Sequence, residues 1–256
     1  MLFCPFIRFK RFSLALAASM ALLALPAAGY EQPQIFEFNI SPNGYPPYLM
    51  VDGDAPAGIM WDVVALIVPR LGYDVQPRQI PRKRVDRMLA EGYLDGTPRA
   101  IEWTREPENF LFTDPIVYVE EVFFFPETSE LQFEQIDDLT GKTIVTPLGY
   151  VYPALEPYFQ EGQINRFEAS NERNMFRYLL HSEQFDAALA DRLVGRWFLK
   201  NKGLIDQFRC SEQSISRFGF RVMVRADWTD FVEAFNQELA AIRENGELAA
   251  ILAKYR

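Results

Sequence analysis

Histidine and cysteine, the side chains that most often carry acid–base, nucleophilic and metal chemistry, are scarce in this sequence. The chain has one His, His181, and two Cys, Cys4 and Cys210, among 256 residues. A multi-His metal site and a Cys₄ zinc site are therefore excluded. There is also no Gly-rich phosphate loop and no Ser-His-Asp set. We expect no cofactor and no metal, which leaves two kinds of chemistry: binding, and catalysis by carboxylates.

The balance of charge argues against a nucleic-acid partner. Lys and Arg number 26 against 35 Asp and Glu, for a formal net charge of -9 at pH 7, whereas a surface that binds phosphates needs a basic footprint. An apolar fraction of 49% with 24% charged residues is typical of a globular protein. At roughly 150 residues per domain, the length predicts one large domain or two modest ones.

The first 28 residues have the pattern of a secretory signal peptide. Arg8, Lys10 and Arg11 precede an almost wholly apolar run over 12–25, which is followed by small residues up to Gly29. Basic, then apolar, then small is the order that export machinery reads. The alternative is a transmembrane anchor, but the apolar run is shorter than the ~20 residues that span a bilayer. We therefore expect residues 1–28 to be a cleaved signal peptide and the protein to be periplasmic.

Strand-like and helical patterns alternate along the rest of the chain, which predicts an α/β architecture. We expect strands over 36–40, 73–76, 93–97, 116–125, 143–146, near 166, 185–189 and 217–225. Helices are expected over 61–71, 84–90, 150–159, 172–180 and 192–200, followed by two closing helices separated at Asn245 and Gly246. A proline at position 69 is expected to kink the first helix.

Several short motifs follow one another in the order of a known family. They are Gly44-Tyr45-Pro46-Pro47-Tyr48, 58–63 leading into 70–73, Phe112-Thr113-Asp114-Pro115, 138–142, 185–187 with Asp191, and Asn245-Gly246-Glu247-Leu248 with Lys254-Tyr255. In this order the sequence resembles the periplasmic solute-binding proteins that serve polar amino acid ABC transporters, bacterial solute-binding protein family 3. The resemblance covers nearly the whole chain after the predicted leader.

The resemblance implies a two-lobed α/β fold of the type II periplasmic-binding-protein kind. Lobe one would comprise 31–118 plus 221–256, and lobe two 119–220. The two hinge strands that cross between the lobes would lie in 116–125 and 217–225. A ligand held in the cleft between two lobes loses water on both sides and favours hinge closure.

The resemblance also implies which residues contact the ligand. Tyr45 stands where the family has an aromatic residue packed on the ligand, and Tyr48 follows on the same loop; an aromatic face also attracts an ammonium group. Asp191 stands where the family places the acid that binds the ligand's ammonium. Asp191 is equally suited to capping the helix that follows, and both roles can hold at once.

Two stretches depart from the family pattern. Over 95–115 the arginine that clamps a carboxylate is displaced, so Arg99 or Arg105 would supply the guanidinium fork and Trp103 would line the pocket; the alternative is a solvated loop. After Gly149 the family has small hydroxyl residues, whereas this chain has Tyr150, so a bulky ring enters the cleft. We expect the amides at the start of the next helix to remain available to an anion.

We therefore predict an exported, monomeric solute-binding protein, not an enzyme, that captures an amino acid or similar small polar solute. Its partners would be the ligand and the membrane subunits of an ABC transporter. One alternative is a periplasmic lyase or hydrolase on the same fold, in which Glu102 would act as general acid or base with a pKa raised by burial. Another is a sensing module that reports its ligand state to a separate protein.

Overall fold

The computed structural model describes Met1 and residues 34–255. Apart from Met1, the predicted signal peptide lies outside the described residues, as does Cys4. Among the helices of the described part, none is both long enough and apolar enough to cross a membrane.

Strands of the described residues join in a single mixed sheet, which confirms the α/β class. Their bounds are β1 (Gln34–Ile40), β2 (Tyr73–Gln79), β3 (Gly96–Arg99), β4 (Phe110–Phe112), β5 (Val117–Pro126), β6 (Thr143–Pro147), β7 (Asn165–Ala169), β8 (Ala187–Asp191), β9 (Phe208–Cys210) and β10 (Ser216–Arg225). The order across the sheet is β2-β1-β3-β10-β5-β8-β6-β7, with β4 on β10 and β9 on β5.

Two long strands connect two parallel groups. β1 pairs in parallel with β2 and β3, and β6 in parallel with β7 and β8. β10 pairs antiparallel with β5 through Ser216–Phe220 and with β3 through Arg221–Val224. β5 continues antiparallel to β8 through Glu121–Phe124. The crossing strands predicted over 116–125 and 217–225 are thus formed as β5 and β10.

Helices follow the strands and bury their apolar faces. They are α1 (Ile59–Arg70), α2 (Arg82–Ala90), α3 (Glu156–Gln160), α4 (Glu172–His181), α5 (Arg192–Asn201), α6 (Thr229–Glu244) and α7 (Glu247–Ala253). Pro69 lies in the last turn of α1, which ends one residue later. Gly246, between α6 and α7, has φ 86°, a left-handed conformation that glycine adopts without steric cost.

Two predicted elements differ from the structure. The helix predicted over 150–159 is wrong for its first half, because α3 begins only at Glu156. Pro153 lies inside that stretch, and a proline there lacks an amide donor and disfavours the helical conformation of the residue before it. The strand predicted over 93–97 lies three residues later, as β3, and Tyr93 is exposed.

Buried apolar side chains form separate clusters on the two groups of strands. One cluster packs β1, α1 and α6 together, with Phe36, Val64 and Phe235 fully buried. Along β5, Phe124 enters a second cluster, whereas Phe123 and Phe125 enter a third, because successive side chains of a strand point to opposite faces. β5 is therefore buried on both faces over this part of its length.

Candidate functional site

A cavity of about 820 Å³ opens beside the crossing strands. Its lining comes mainly from the loop before α1, from α2, from β3 and the 3₁₀ turn Ile101–Trp103, from β5 and β10, from the loop after β6, and from the start of α5. Of the residues that the sequence predicted as ligand contacts, five line this cavity. They are Tyr45, Arg99, Trp103, Tyr150 and Asp191.

One side of the cavity is an aromatic wall, formed by Tyr45, Trp103, Phe218 and Phe220. The Trp103 ring lies 5.5 Å from the Phe220 ring and 6.2 Å from the Phe218 ring, between centroids. Tyr45 meets Phe220 edge to face at 6.3 Å and Trp103 at 6.4 Å. Such contacts hold the rings in place against one another. The wall offers a ready apolar surface, and Phe218 and Phe220 were not predicted.

Asp191 occupies the end of β8 and caps α5. Its Oδ1 accepts from the backbone amides of Leu193 at 3.0 Å and Val194 at 2.8 Å, and from the Tyr48 hydroxyl at 2.9 Å. Its Oδ2 accepts from the Glu120 amide at 3.0 Å. The side chain is 6% exposed, and burial raises the pKa of Asp191 to about 6 against the lowering effect of these hydrogen bonds. The helix-capping role is thus realised at the cavity surface.

Glu121 lies directly across the sheet from Asp191, as its register partner between β5 and β8. It lines the cavity and is 9% exposed. Ser216 of β10 donates a hydrogen bond to its Oε2. Burial raises the pKa of Glu121 to about 7, and the nearby charge of Asp191 adds to that rise. We call Glu121 and Asp191 the acidic pair; the sequence analysis did not single out Glu121.

The basic groups of the cavity are Arg99 and Arg82. Arg99 is 6% exposed, and its Nη2 donates to Asp86 Oδ1 at 2.6 Å. Burial lowers the pKa of Arg99, and Asp86 opposes that lowering. Arg82, the first residue of α2, lines the cavity but is exposed to water. The buried positive charge therefore has a counter-charge within the protein.

The loop after β6 brings Tyr150 and Tyr152 to the cavity. Gly149 has φ 78°, and its amide donates to Glu168 Oε1 at 3.0 Å. Arg166 donates to the Tyr150 carbonyl. Tyr152 is buried, whereas Tyr150 keeps 43% of its surface exposed. The helix that was expected to offer its first amides to an anion begins only at Glu156, because 150–155 is a loop, and the Glu156 amide donates to the Tyr152 carbonyl.

Two predicted contacts, Tyr48 and Arg105, do not reach the cavity lining. Tyr48 is fully buried, and its ring stacks on that of Tyr45 with 5.3 Å between centroids. Its hydroxyl donates a hydrogen bond to Asp191. Arg105 is exposed and lies beyond the Ile101–Trp103 turn. Of the two arginines left open by the sequence, only Arg99 lies at the cavity. Tyr48 supports the site by positioning Asp191 and Tyr45.

Groups proposed for other chemistry are placed as follows. Glu102 lines the cavity but is exposed, whereas the enzyme alternative required a buried acid at this position. His181 ends α4 and is exposed, away from this cavity. Across the residues that the structure describes, no group of three or more His, Cys, Asp or Glu side chains is placed to hold a metal ion.

Comparison with known proteins shows the family to which this chain belongs. The family model for bacterial extracellular solute-binding proteins, family 3, matches residues 40–256. The arginine-binding extracellular protein ArtP of Bacillus subtilis is 21% identical over 212 residues, which is 82% of each chain.

Solved structures agree on the fold. A putative ABC transporter binding component from Wolinella succinogenes, complexed with lysine, is 18% identical with a TM-score of 0.70, over 86% of this chain and 95% of that one. The GluR0 ligand-binding core in complex with L-glutamate is 17% identical with a TM-score of 0.68, over 89% and 99%. These likenesses confirm the type II periplasmic binding fold. The chain belongs to the bacterial extracellular solute-binding proteins, family 3.

Proposed function

We propose that this protein captures an amino acid, or a similar small polar solute, in the cavity and passes it to the membrane subunits of an ABC transporter. The observation that carries the proposal is the arrangement of the cavity: a buried acidic pair, a buried arginine and an aromatic wall line the same open cavity. An amino acid needs these three kinds of group, an anion for its ammonium, a cation for its carboxylate and apolar surface for the rest. The amino acid ligands of ArtP and of the Wolinella protein support this reading.

The roles of individual residues follow from their chemistry. Arg99 binds the ligand's carboxylate with the part of its fork that Asp86 does not occupy. Tyr45 and Trp103 pack on the ligand, and Tyr150 covers it from the loop after β6. Asp191 adds negative charge and fixes the start of α5. Tyr48 and Arg105 make no ligand contact in this arrangement.

The same proposal includes the setting of the protein. Residues 1–28 serve as a signal peptide that directs a monomeric protein to the periplasm. The lobes span 31–118 plus 221–256 and 119–220, and they close on the ligand by bending at β5 and β10. Closure adds contacts that exist only when both lobes touch the ligand, so the ligand shifts the population toward the closed form.

Ligand-dependent stabilisation tests this function. We expect at least one compound from a panel of amino acids, polyamines and small organic acids to raise the melting temperature of the purified protein. A ligand at 100 times its Kd adds about 2.7 kcal/mol to the free energy of unfolding. Isothermal titration of the best compound should then give one site per chain. A panel that produces no shift and no heat would contradict the proposal.

The enzyme alternative, with Glu102 as its general acid or base, receives no support from the site. It required a cavity acid whose pKa is raised by burial, in the position of Glu102, but that side chain is exposed. The acids that burial does affect, Glu121 and Asp191, lie side by side on neighbouring strands. Incubation of candidate ligands with the purified protein should return them unchanged.

A further inference from the structure

Asp191 is the acid that the family resemblance assigns to the ligand's ammonium, yet most of its acceptor capacity is already used within the protein. An ionised carboxylate offers about four acceptor positions. Asp191 uses its two oxygens to accept four hydrogen bonds, three from backbone amides and one from Tyr48. Three of the four donors reach Oδ1 and one reaches Oδ2, so about one acceptor position, on Oδ2, is left for a ligand.

Glu121 differs from Asp191 in this respect. The only hydrogen bond between its carboxylate and a described residue comes from Ser216 and goes to Oε2, so Oε1 retains its acceptor capacity. Within the described part of the chain Glu121 has no ion pair, although ion pairs hold its neighbour Glu120 to Arg192 and Arg217. A nine-tenths buried carboxylate without a cation is costly unless a partner arrives.

The buried charges of the cavity do not balance. Arg99 is neutralised by Asp86, whereas Glu121 and Asp191 have no buried basic partner among the described residues. The exposed groups that line the cavity, Arg82, Glu102 and Glu172, do not restore neutrality. A zwitterion without a charged side chain brings no net charge, but a ligand with an additional cation supplies what the acidic pair lacks.

We propose that Glu121 is the anionic anchor of the ligand's side chain, and that the ligand is an amino acid with a cationic side chain whose ammonium or guanidinium group binds Glu121. This inference rests on the proposed function, since it concerns the same cavity. The long, apolar stem of such a side chain lies against the aromatic wall, where a cation is also attracted to the ring faces. Ser216 holds the Glu121 carboxylate in the orientation that receives the donor.

A matched pair of probes isolates the side-chain charge. L-arginine and L-citrulline have the same length and the same α-groups, but the guanidinium of arginine is a neutral ureido group in citrulline. We expect the parent protein to bind L-arginine at least tenfold more tightly than L-citrulline in isothermal titration. Glu121→Gln keeps the shape of the side chain and removes its charge, so the preference should fall below about twofold.

Glu120→Gln is the matched control, because Glu120 is the adjacent residue of β5, carries the same charge and pairs outside the cavity. This variant should keep the tenfold preference. The inference is overturned if Glu121→Gln also keeps it, or if the parent binds L-citrulline as tightly as L-arginine.

The wider amino acid panel separates this inference from the proposed function. Binding of neutral or acidic amino acids by the parent, without binding of L-arginine or L-lysine, would overturn the cationic anchor and leave the solute-binding function standing. A parent protein that binds no compound of the panel would remove both. Circular dichroism of both variants checks that each is folded.

Discussion

The two buried charged regions of the cavity are neutralised in different ways. Arg99 lies on β3, and its charge is matched by Asp86 of α2 at 2.6 Å. The acidic pair lies on β5 and β8 and is stabilised by hydrogen bonds without an ion pair among the described residues. The charge of Arg99 is thus neutralised within the protein, whereas the charge of the acidic pair is left for a ligand to neutralise. Charge balance, and not the mere presence of an arginine, therefore indicates which ligand a binding cavity selects.

The members of the acidic pair also differ from each other. Asp191 has a structural role, since its hydrogen bonds connect α5, β5 and Tyr48. The side chain of Glu121 connects only to Ser216, through one hydrogen bond, among the described residues. Substitution of Asp191 should therefore affect mainly stability, and substitution of Glu121 mainly binding and its dependence on pH. Two experiments on these acids separate their roles, and a third concerns the positive region.

The largest effect is expected for Asp191→Ala. It removes the cap of α5, leaves the Glu120 amide without its acceptor and takes away the hydrogen bond from the Tyr48 hydroxyl. A lost cap costs about 1 kcal/mol, and each buried unsatisfied donor costs about 1 to 3 kcal/mol. We expect the free energy of unfolding to fall by roughly 3 kcal/mol or more, measured by urea denaturation.

Asp191→Asn is the control for that loss, because it keeps an oxygen that can accept from Leu193 and Val194. It should lose about 1 kcal/mol, the size of a typical hydrogen-bond deficit. If Asp191→Ala costs no more than Asp191→Asn, the structural role assigned to the four hydrogen bonds is wrong. In that case the distinction between the two acids disappears.

The second effect is the pH dependence that Glu121 gives to stability. Its pKa is about 7 in the folded protein against an ordinary value of 4.5, so the folded state binds the proton more tightly. Stability from this group is therefore fully present below pH 4.5 and is lost as the pH rises through 7. A shift of that size corresponds to roughly 3 kcal/mol.

Glu121→Gln removes this loss of stability at high pH. Without ligand, the variant should be more stable than the parent at pH 8, by up to roughly 3 kcal/mol, and equally stable at pH 4. Asp191, whose pKa is about 6, adds a similar dependence at lower pH in both proteins, so the difference between them reports Glu121. Denaturation curves at pH 4, 6 and 8 measure it. Parallel stability curves of parent and variant would show that Glu121 is not strained by burial.

Much of the fold could be predicted from the sequence, because periodic apolar patterns decide which segments become strands and helices. β1, β5, β10, α1 and α6 lie close to their predicted positions. β4 and β9 were not predicted, since three-residue strands show no periodicity. The helix predicted from Tyr150 was wrong in its first half, because the apolar spacing there indicates a helix but Pro153 disfavours one.

The site was harder to predict, although one signal for Glu121 was present. Adjacent acids, Glu120 and Glu121, interrupt an apolar strand, and with a period of two one of them must share a face with Val119 and Phe123. Such an acid is buried unless the strand is distorted. The occupied state of Asp191 and the pairing of Arg99 with Asp86 depend on side chains that are 143 and 13 residues apart. Sequence spacing alone does not show that those partners meet.

The smallest effect concerns the positive region. Asp86→Asn keeps an acceptor for Arg99 but removes the counter-charge, so the Arg99 charge becomes available to a ligand's carboxylate. The Asp86 side chain is 42% exposed, and water therefore screens its attraction to Arg99. We expect the affinity for L-arginine to rise about threefold, or roughly 0.6 kcal/mol. L-argininamide, in which the carboxylate is an amide, should show no gain in the same titration. Equal gains for both compounds would mean that the ligand's carboxylate does not bind at Arg99. The acidic pair would then select the ligand without a contribution from Arg99.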